Sequence, residues 1–444
     1  MLDIKQTENQ LKNLAEDVLK KAKSKGVTAA ELNIRKGEGM STEVRMSEVE
    51  TLEYNRDQSL SITVYFDKRR GSASTADLSE KAIEDSLDAA CRIAKYTSED
   101  EFSGLADADL MASDIPNLDL YHPWEIDAEE AIQLAIACES AALNADEKIT
   151  NSDGASVNTY SGTSIYANSH GFIGSQASSR HHLYSSVIAG QGDSMVTDAW
   201  YDVSRTTSQL DSPESIGKTA AERTLKRLDA RKLATQEAPV LYDAQMATSL
   251  ISHFVGAISG RSQYQKASFL LGALGETIFP DFVHLYERPY LAQALGSSAY
   301  DNEGVATREQ DFIKDGVVTN YLLGSYAARK LGMETTANAG GAHNLILDST
   351  GQNFAELLAQ MDKGFLVTEL MGSSVNMVTG DYSRGAAGFW VENGEIQYAV
   401  KEVTIAGNLK DMYQQIIAIG NDINTRSSIR TGSILIEKMT IAGS

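Results

Sequence analysis

The residues able to do chemistry in this chain are few and scattered. It has seven histidines and two cysteines. No histidine is followed by Glu, so the H-E-x-x-H helix of a zinc peptidase is missing. No G-x-S-x-G elbow occurs, which argues against an α/β-hydrolase nucleophile. Gly217-Lys218-Thr219 ends like a phosphate loop, but Ser212 stands where the first glycine belongs, and the segment reads as helix. The pair His181-His182 sits in a strand-like run, where neighbouring side chains point to opposite faces and do not share one ion. Gly190-Gln191-Gly192 is a lone G-x-G without a strand-to-helix context. His343, in Gly340-Gly341-Ala342-His343-Asn344, reads as an acid or base in a flexible loop, with no carboxylate or nucleophile nearby in sequence to complete a constellation. Cys91 and Cys138 lie in apolar helical patterns and are expected to be buried free thiols rather than a disulfide framework.

The most informative stretch is Gly380-Asp381-Tyr382-Ser383-Arg384-Gly385-Ala386-Ala387-Gly388-Phe389-Trp390-Val391-Glu392-Asn393-Gly394. Glycines that permit close backbone approach, with polar groups and aromatics in one turn and hairpin, suit a groove for an extended peptide. The same pattern also fits a Gly-rich hairpin needed only for sheet curvature.

Charge narrows the partners. Thirty-nine Lys and Arg face sixty-one Asp and Glu, a net charge of −22 over 444 residues. Phosphate backbones are bound by clustered basic residues, so nucleic acid is not an expected partner. With 42% apolar and 23% charged residues, the composition is that of an ordinary globular chain. No run approaches the ~20 apolar residues of a membrane helix. The start, MLDIKQTENQ, has no apolar signal core. The expectation is a cytoplasmic protein away from membranes.

The positioning elements follow from periodicity. Residues 7–25 read as an amphipathic helix, capped at Thr7 with Gln10, buried along Leu11, Leu14, Ala15, Val18 and Ala22, and stopped at Gly26. Residues 30–75 read as a β-meander with turns at 55–58 and 67–70. A helix begins at Asp77 or Ser79, with a stripe of Ile83, Leu87, Ala90, Cys91 and Ala94. Residues 99–126 form an acidic, solvated connector. Helices follow at 127–145 and from Ser212-Pro213 to Lys232, with strands between and a turn at 168–171. Beyond 233 the chain is β-rich, with a helix over 243–259, shorter helices near 354–363 and 408–417, and hairpins at Asp315-Gly316 and Asn393-Gly394. The predicted class is α+β, a helix and β-meander N-terminal half packed on a β-rich C-terminal half. The predicted organisation is 1–98, a connector 99–126, a central segment 127–232 and a C-terminal domain 233–444.

Three segments carry a resemblance: GDYSRGAAGFWVENGEIQYAVKEVTIAGNL (380–409), IGNDINTRSSIRTGSILIEKM (419–439) and SIYANSHGFIG (164–174). They resemble the TldD/PmbA family, and within it the PmbA (TldE) branch, and the resemblance runs over nearly the whole length. It implies a two-part α+β chain in a cytoplasmic metallopeptidase assembly that processes or degrades small unfolded proteins and peptides. TldD is the metal-bearing subunit of that assembly. The family is also described as a modulator of DNA gyrase.

In the TldD branch a helix bears H-E-x-x-x-H, and a Cys near the C-terminus completes a zinc site. Aligned on Gly256, that motif places Ser252 at the first His, His253 at the Glu and Ala257 at the second His; no Cys follows Cys138. Zinc takes His, Cys or carboxylate ligands. The resemblance therefore implies a chain that binds no cofactor itself and has a TldD-like partner holding the zinc. Unfolded peptides are the implied substrates, and a homodimer forms when the partner is absent. Ser252, His253, Asp381, Tyr382, Ser383 and Arg384 are the candidate peptide-groove residues. Two other readings stay open. One is a stand-alone peptidase using His253, His343, Asp381 or Glu392; the other is an acidic binding protein acting on DNA gyrase.

Overall fold

The computed structural model describes residues 2–443. The first part contains α1 (Ile4–Ser24), β1 (Ala29–Arg45), β2 (Glu48–Phe66), β3 (Arg69–Thr75), α2 (Glu80–Tyr96), α3 (Ala128–Leu143), β4 (Ile149–Asn168), β5 (Ile173–Ala189), β6 (Val196–Ser204) and α4 (Pro213–Lys226). Its strands form one six-stranded antiparallel sheet in the order β3-β2-β1-β4-β5-β6. Strand alternation puts Leu32, Ile34 and Met40 of β1 on one face. That face is covered by α1 and α2 over Leu60, Ile62 and Ile165, and by α3 and α4 over Val157 and Leu183.

The second part contains β7 (Gln236–Tyr242), α5 (Ala244–Ala257), α6 (Gly260–Tyr264), β8 (Leu285–Glu287), β9 (Gln310–Lys314), β10 (Val317–Val318), α7 (Ser325–Leu331), β11 (Leu345–Leu347), α8 (Phe354–Met361), β12 (Gly364–Met371), β13 (Asp381–Glu392), β14 (Glu395–Asn408), α9 (Leu409–Gln414), β15 (Ile416–Ile419), β16 (Ile429–Arg430) and β17 (Ile434–Ala442). One sheet runs β10-β9-β8-β11-β16. The other runs β14-β13-β12-β7-β17-β15, and an added β14–β17 pairing closes five of its strands into a ring. The apolar stripe of α5, with Leu250, Ile251 and Phe254, packs on Tyr242, Val367 and Tyr382 of that ring. The fold is α+β, and no helix among the described residues is long and apolar enough to cross a membrane.

Four local expectations are corrected. The α1 cap is Asp3, whose carboxylate accepts from Gln6 N–H at 3.0 Å, and Thr7 lies buried inside the helix. No turn interrupts residues 55–58, which continue β2 opposite Lys36–Gly39. The reversal instead falls at Met46 and Ser47, both at positive φ (51° and 62°). Glu139 of α3, fully buried, accepts from both of their amides at 2.7 Å and holds this otherwise strained turn. Residues 99–126 form a fastened strap rather than a solvated connector. Leu105, Leu118 and Leu120 are buried, and the Arg329 guanidinium donates to the carbonyls of Phe102 (3.3 Å), Gly104 (3.2 Å) and Leu105. The acids of the strap face outward while its apolar residues pack inward, which a count of charges does not reveal. His343 is the fourth: it is buried and bonded to a carboxylate far away in sequence (below).

Further contacts join the parts. Gly174 fits against the Tyr300 ring, where a Cβ would come within 2.6 Å. Arg205 reaches the Leu295 carbonyl at 2.8 Å, and Arg227 pairs with Glu369.

Candidate functional site

The helix α5 and the strand β13 bring three of the six candidate residues together. Asp243 caps α5, accepting from Met246 N–H at 2.7 Å. Burial raises the Asp243 carboxyl to about 6. Along α5, Ser252 is exposed, His253 is half-buried, and Ala257 is fully buried in the core. On β13, Tyr382 and Ala386 face that same core, and alternation puts Arg384 on their side. Asp381 and Ser383 point the other way and are exposed.

The His253 ring meets the Tyr382 ring edge-on with centroids 6.1 Å apart. Tyr382 is buried, and its oxygen accepts from Tyr242 Oη at 3.3 Å. Burial, then the nearby Arg384 charge, hold the His253 imidazole below the ordinary histidine value, so it is neutral at pH 7. Burial also pushes the Tyr382 phenol up, keeping it protonated. His253 Nε2 and Arg384 Nε are both buried without a hydrogen-bond partner. Tyr242 and Met377, which rests over Gly256, complete the surroundings. Neither carries a motif that sequence reasoning would have flagged.

Asp381 serves its turn, accepting from Thr379 Oγ1 at 2.6 Å and Asn408 Nδ2 at 3.4 Å. Glu392, at the far end of β13, accepts from Trp390 Nε1 at 3.0 Å and pairs with Lys363 at 3.2 Å. Those two partners hold its carboxyl below the usual range. The two acids stand eleven residues apart along one strand, roughly 35 Å, too far to act as a pair. Gly388 answers to packing: a Cβ there would lie 1.9 Å from the Leu366 carbonyl oxygen.

His343 has the carboxylate that sequence reading missed. Glu287 of β8, fully buried, accepts from His343 Nδ1 at 3.1 Å and from the His343 backbone N–H. It also accepts from Gln310 Nε2 at 2.7 Å and from Asn338 Nδ2 at 3.0 and 3.2 Å. Fifty-six residues separate the pair, so no local pattern announces it. Its many donors make Glu287 a fastener of the 336–344 loop. His181 and His182 do face opposite sides. His181 is buried, contacting Thr159 Oγ1 and the His122 carbonyl, each at 2.8 Å, while His182 stacks on Tyr184. Both cysteines are buried and free. A recess of about 790 Å³ lined by Glu38, Tyr54, Trp124 and Asp127 lies on the N-terminal sheet, away from α5.

Comparison with known proteins covers nearly the whole chain. Family models described as PmbA/TldA metallopeptidase domain 1, central domain and C-terminal domain match residues 30–94, 121–228 and 235–443. The metalloprotease PmbA of Escherichia coli O157:H7 is 50% identical over 445 residues, covering 99% of this chain and 98% of that protein. A Bacteroides thetaiotaomicron protein, described as a proposed modulator of DNA gyrase, superposes with a TM-score of 0.92 at 31% identity, covering 98% of this chain and 99% of its own. TldE of Thermococcus kodakarensis shares the fold, with a TM-score of 0.86 at 21% identity and coverage of 97% and 100%.

Proposed function

The chain belongs to the PmbA/TldD metallopeptidase family, on its PmbA branch, and from that premise we propose that it is the metal-free subunit of a two-chain peptidase. A TldD-like partner supplies zinc and its bound water. This chain helps enclose unfolded peptide substrates in the cytoplasm and self-associates when alone.

The observation that carries this reading is the donor set on α5, the helix that the family resemblance aligns with the metal helix. The family name implies a metal, but the residues here do not fit one. Ala257 offers no donor and is fully buried. Ser252 is a poor ligand, and His253 stands beside the fixed positive charge of Arg384. A single imidazole next to a guanidinium is a poor zinc site, since zinc takes three protein ligands when catalytic. Among the described residues no three His, Cys, Asp or Glu side chains cluster as a metal site. What this chain's residues do is therefore bind and orient. The three-domain organisation at 1–98, 127–232 and 233–444 belongs to the same proposal, with 99–126 as the strap between. Modulation of DNA gyrase is a separate reading, to which the descriptions of the Bacteroides and Thermotoga maritima structures and the net charge point.

The test is reconstitution. A TldD-like chain should cleave a fluorogenic unfolded peptide faster when this chain is added, and this chain alone should not cleave it. An unchanged rate across a titration to excess sinks the proposal.

A further inference from the structure

Carboxylates outnumber Lys and Arg in this chain by sixty-one to thirty-nine, yet four half-buried arginines make no ion pair among the described residues; Arg45 and Arg205 donate to backbone carbonyls, and two have no such bond. Arg384 is one. It lies on the core side of β13 with its guanidinium hydrogen-bonded to the Tyr382 hydroxyl, makes no ion pair among the described residues, and its Nε is buried and unpartnered. His253 Nε2, across the Tyr382 ring, is orphaned in the same way. Arg430, on the β16 segment that packs beside α5, also has no ion pair among the described residues and a buried, unpartnered Nε. Tyr382 already accepts from Tyr242, which leaves its own hydroxyl proton to donate. Stranded buried donors are unfavourable unless something accepts from them.

We propose that His253, Tyr382 and Arg384 form a carboxylate-binding site that holds an acidic group of a bound peptide, its free C-terminus or an Asp or Glu side chain. The site lies on the helix face that the family resemblance aligns with the metal motif, so a fixed cation occupies this region in place of a metal ion. A guanidinium fork and a neutral imidazole N–H match a carboxylate's two oxygens. Entry runs past Met377, whose methyl would sit 3.3 Å from a Cβ at Gly256 and whose unbranched side chain swings aside readily. Most of the loop 372–379 carrying it is exposed. The proposal rests on the reading of this chain as a peptide-handling subunit.

The experiment uses the full chain alone, without a metal-bearing partner, so its result is independent of whether the chain stimulates hydrolysis. Three labelled decapeptides of one unfolded sequence are compared by fluorescence anisotropy. One is free of acidic side chains with a free C-terminus, one is the same peptide amidated, and one is amidated with a single Glu. A carboxylate site predicts that at least one acidic peptide binds about tenfold or more tighter than the amidated neutral one. Which of the two acidic peptides gains identifies the source. The gain should vanish in Arg384→Gln and shrink in Arg384→Lys, which keeps the charge but loses the fork. Equal binding of the three peptides, no binding of any, or a gain that survives both variants overturns the proposal. Should Arg384→Gln not fold, Arg384→Lys and His253→Gln carry the same test.

Discussion

Replacing Glu287 with Gln should be among the most damaging single-atom changes in the C-terminal part. The carboxylate is fully buried and accepts from Gln310, from Asn338 at both oxygens, and from His343 through both backbone and ring. An amide keeps one oxygen and turns the other into an NH₂ group. Placed at Oε2, that group faces the Gln310 and Asn338 amides; placed at Oε1, it faces the His343 N–H. Either way two or more charge-assisted bonds become donor–donor contacts. At ~1.5–3 kcal/mol for each such bond, the loss is roughly 3–5 kcal/mol. For a cooperative unit of about 200 residues that corresponds to a fall in Tm of roughly 6–20 °C. His343→Ala removes only one ring donor and leaves the other partners, so it should cost about 1–2 kcal/mol. Urea unfolding followed by near-UV circular dichroism gives both values. A Glu287→Gln loss below about 1 kcal/mol, or a larger loss for His343→Ala than for Glu287→Gln, would refute the assignment of Glu287 as the fastener of this loop.

Further expectations concern other sites. The Asp243 carboxyl, raised to about 6 by burial, binds its proton more tightly folded than unfolded, so its contribution to stability is present below about pH 4 and lost as pH rises through about 6. Asp243→Asn keeps an acceptor for Met246 N–H and should stabilise the chain by about 1–2 kcal/mol at pH 7.5, with no gain at pH 4, in parallel thermal melts. Gly217→Ala would ordinarily strengthen a helix interior. In α4 a Cβ would sit 2.1 Å from the Cys138 carbonyl oxygen of α3, so the sign reverses to a loss of about 2 kcal/mol by urea unfolding. Glu139→Ala strands the Met46 and Ser47 amides and should cost about 3 kcal/mol, with Ser47→Gly restoring about 1 kcal/mol by relieving its positive φ.

Legibility in the sequence followed the range of the physics. Patterns set by neighbours one turn away read correctly. The α2 stripe of Ile83, Leu87, Ala90, Cys91 and Ala94 is buried as its spacing implied, and Asn393-Gly394 and Asp315-Gly316 adopt positive φ in hairpins. Features set at long range did not read. The Met46–Ser47 turn has no Gly or Asn because its conformation is enforced by Glu139, ninety-two residues from Ser47. His343 read as unsupported because Glu287 lies on another strand. At the candidate site, Tyr382 and Arg384 were visible as a polar, aromatic run near a glycine. Strand alternation then separated them from Asp381 and Ser383, which the run had grouped with them. The family resemblance supplied α5 as the place to look, and the orphaned donors there were visible only in three dimensions.

A subunit that brings no metal of its own to the assembly is recognised by its zinc content. The full chain, purified alone and dialysed without chelator, is measured by elemental analysis. The expected result is well below one zinc per chain, with zinc appearing only in the TldD-like partner of a reconstituted pair. One tightly held zinc per chain, lost on His253→Ala, would contradict it and make His253 a metal ligand.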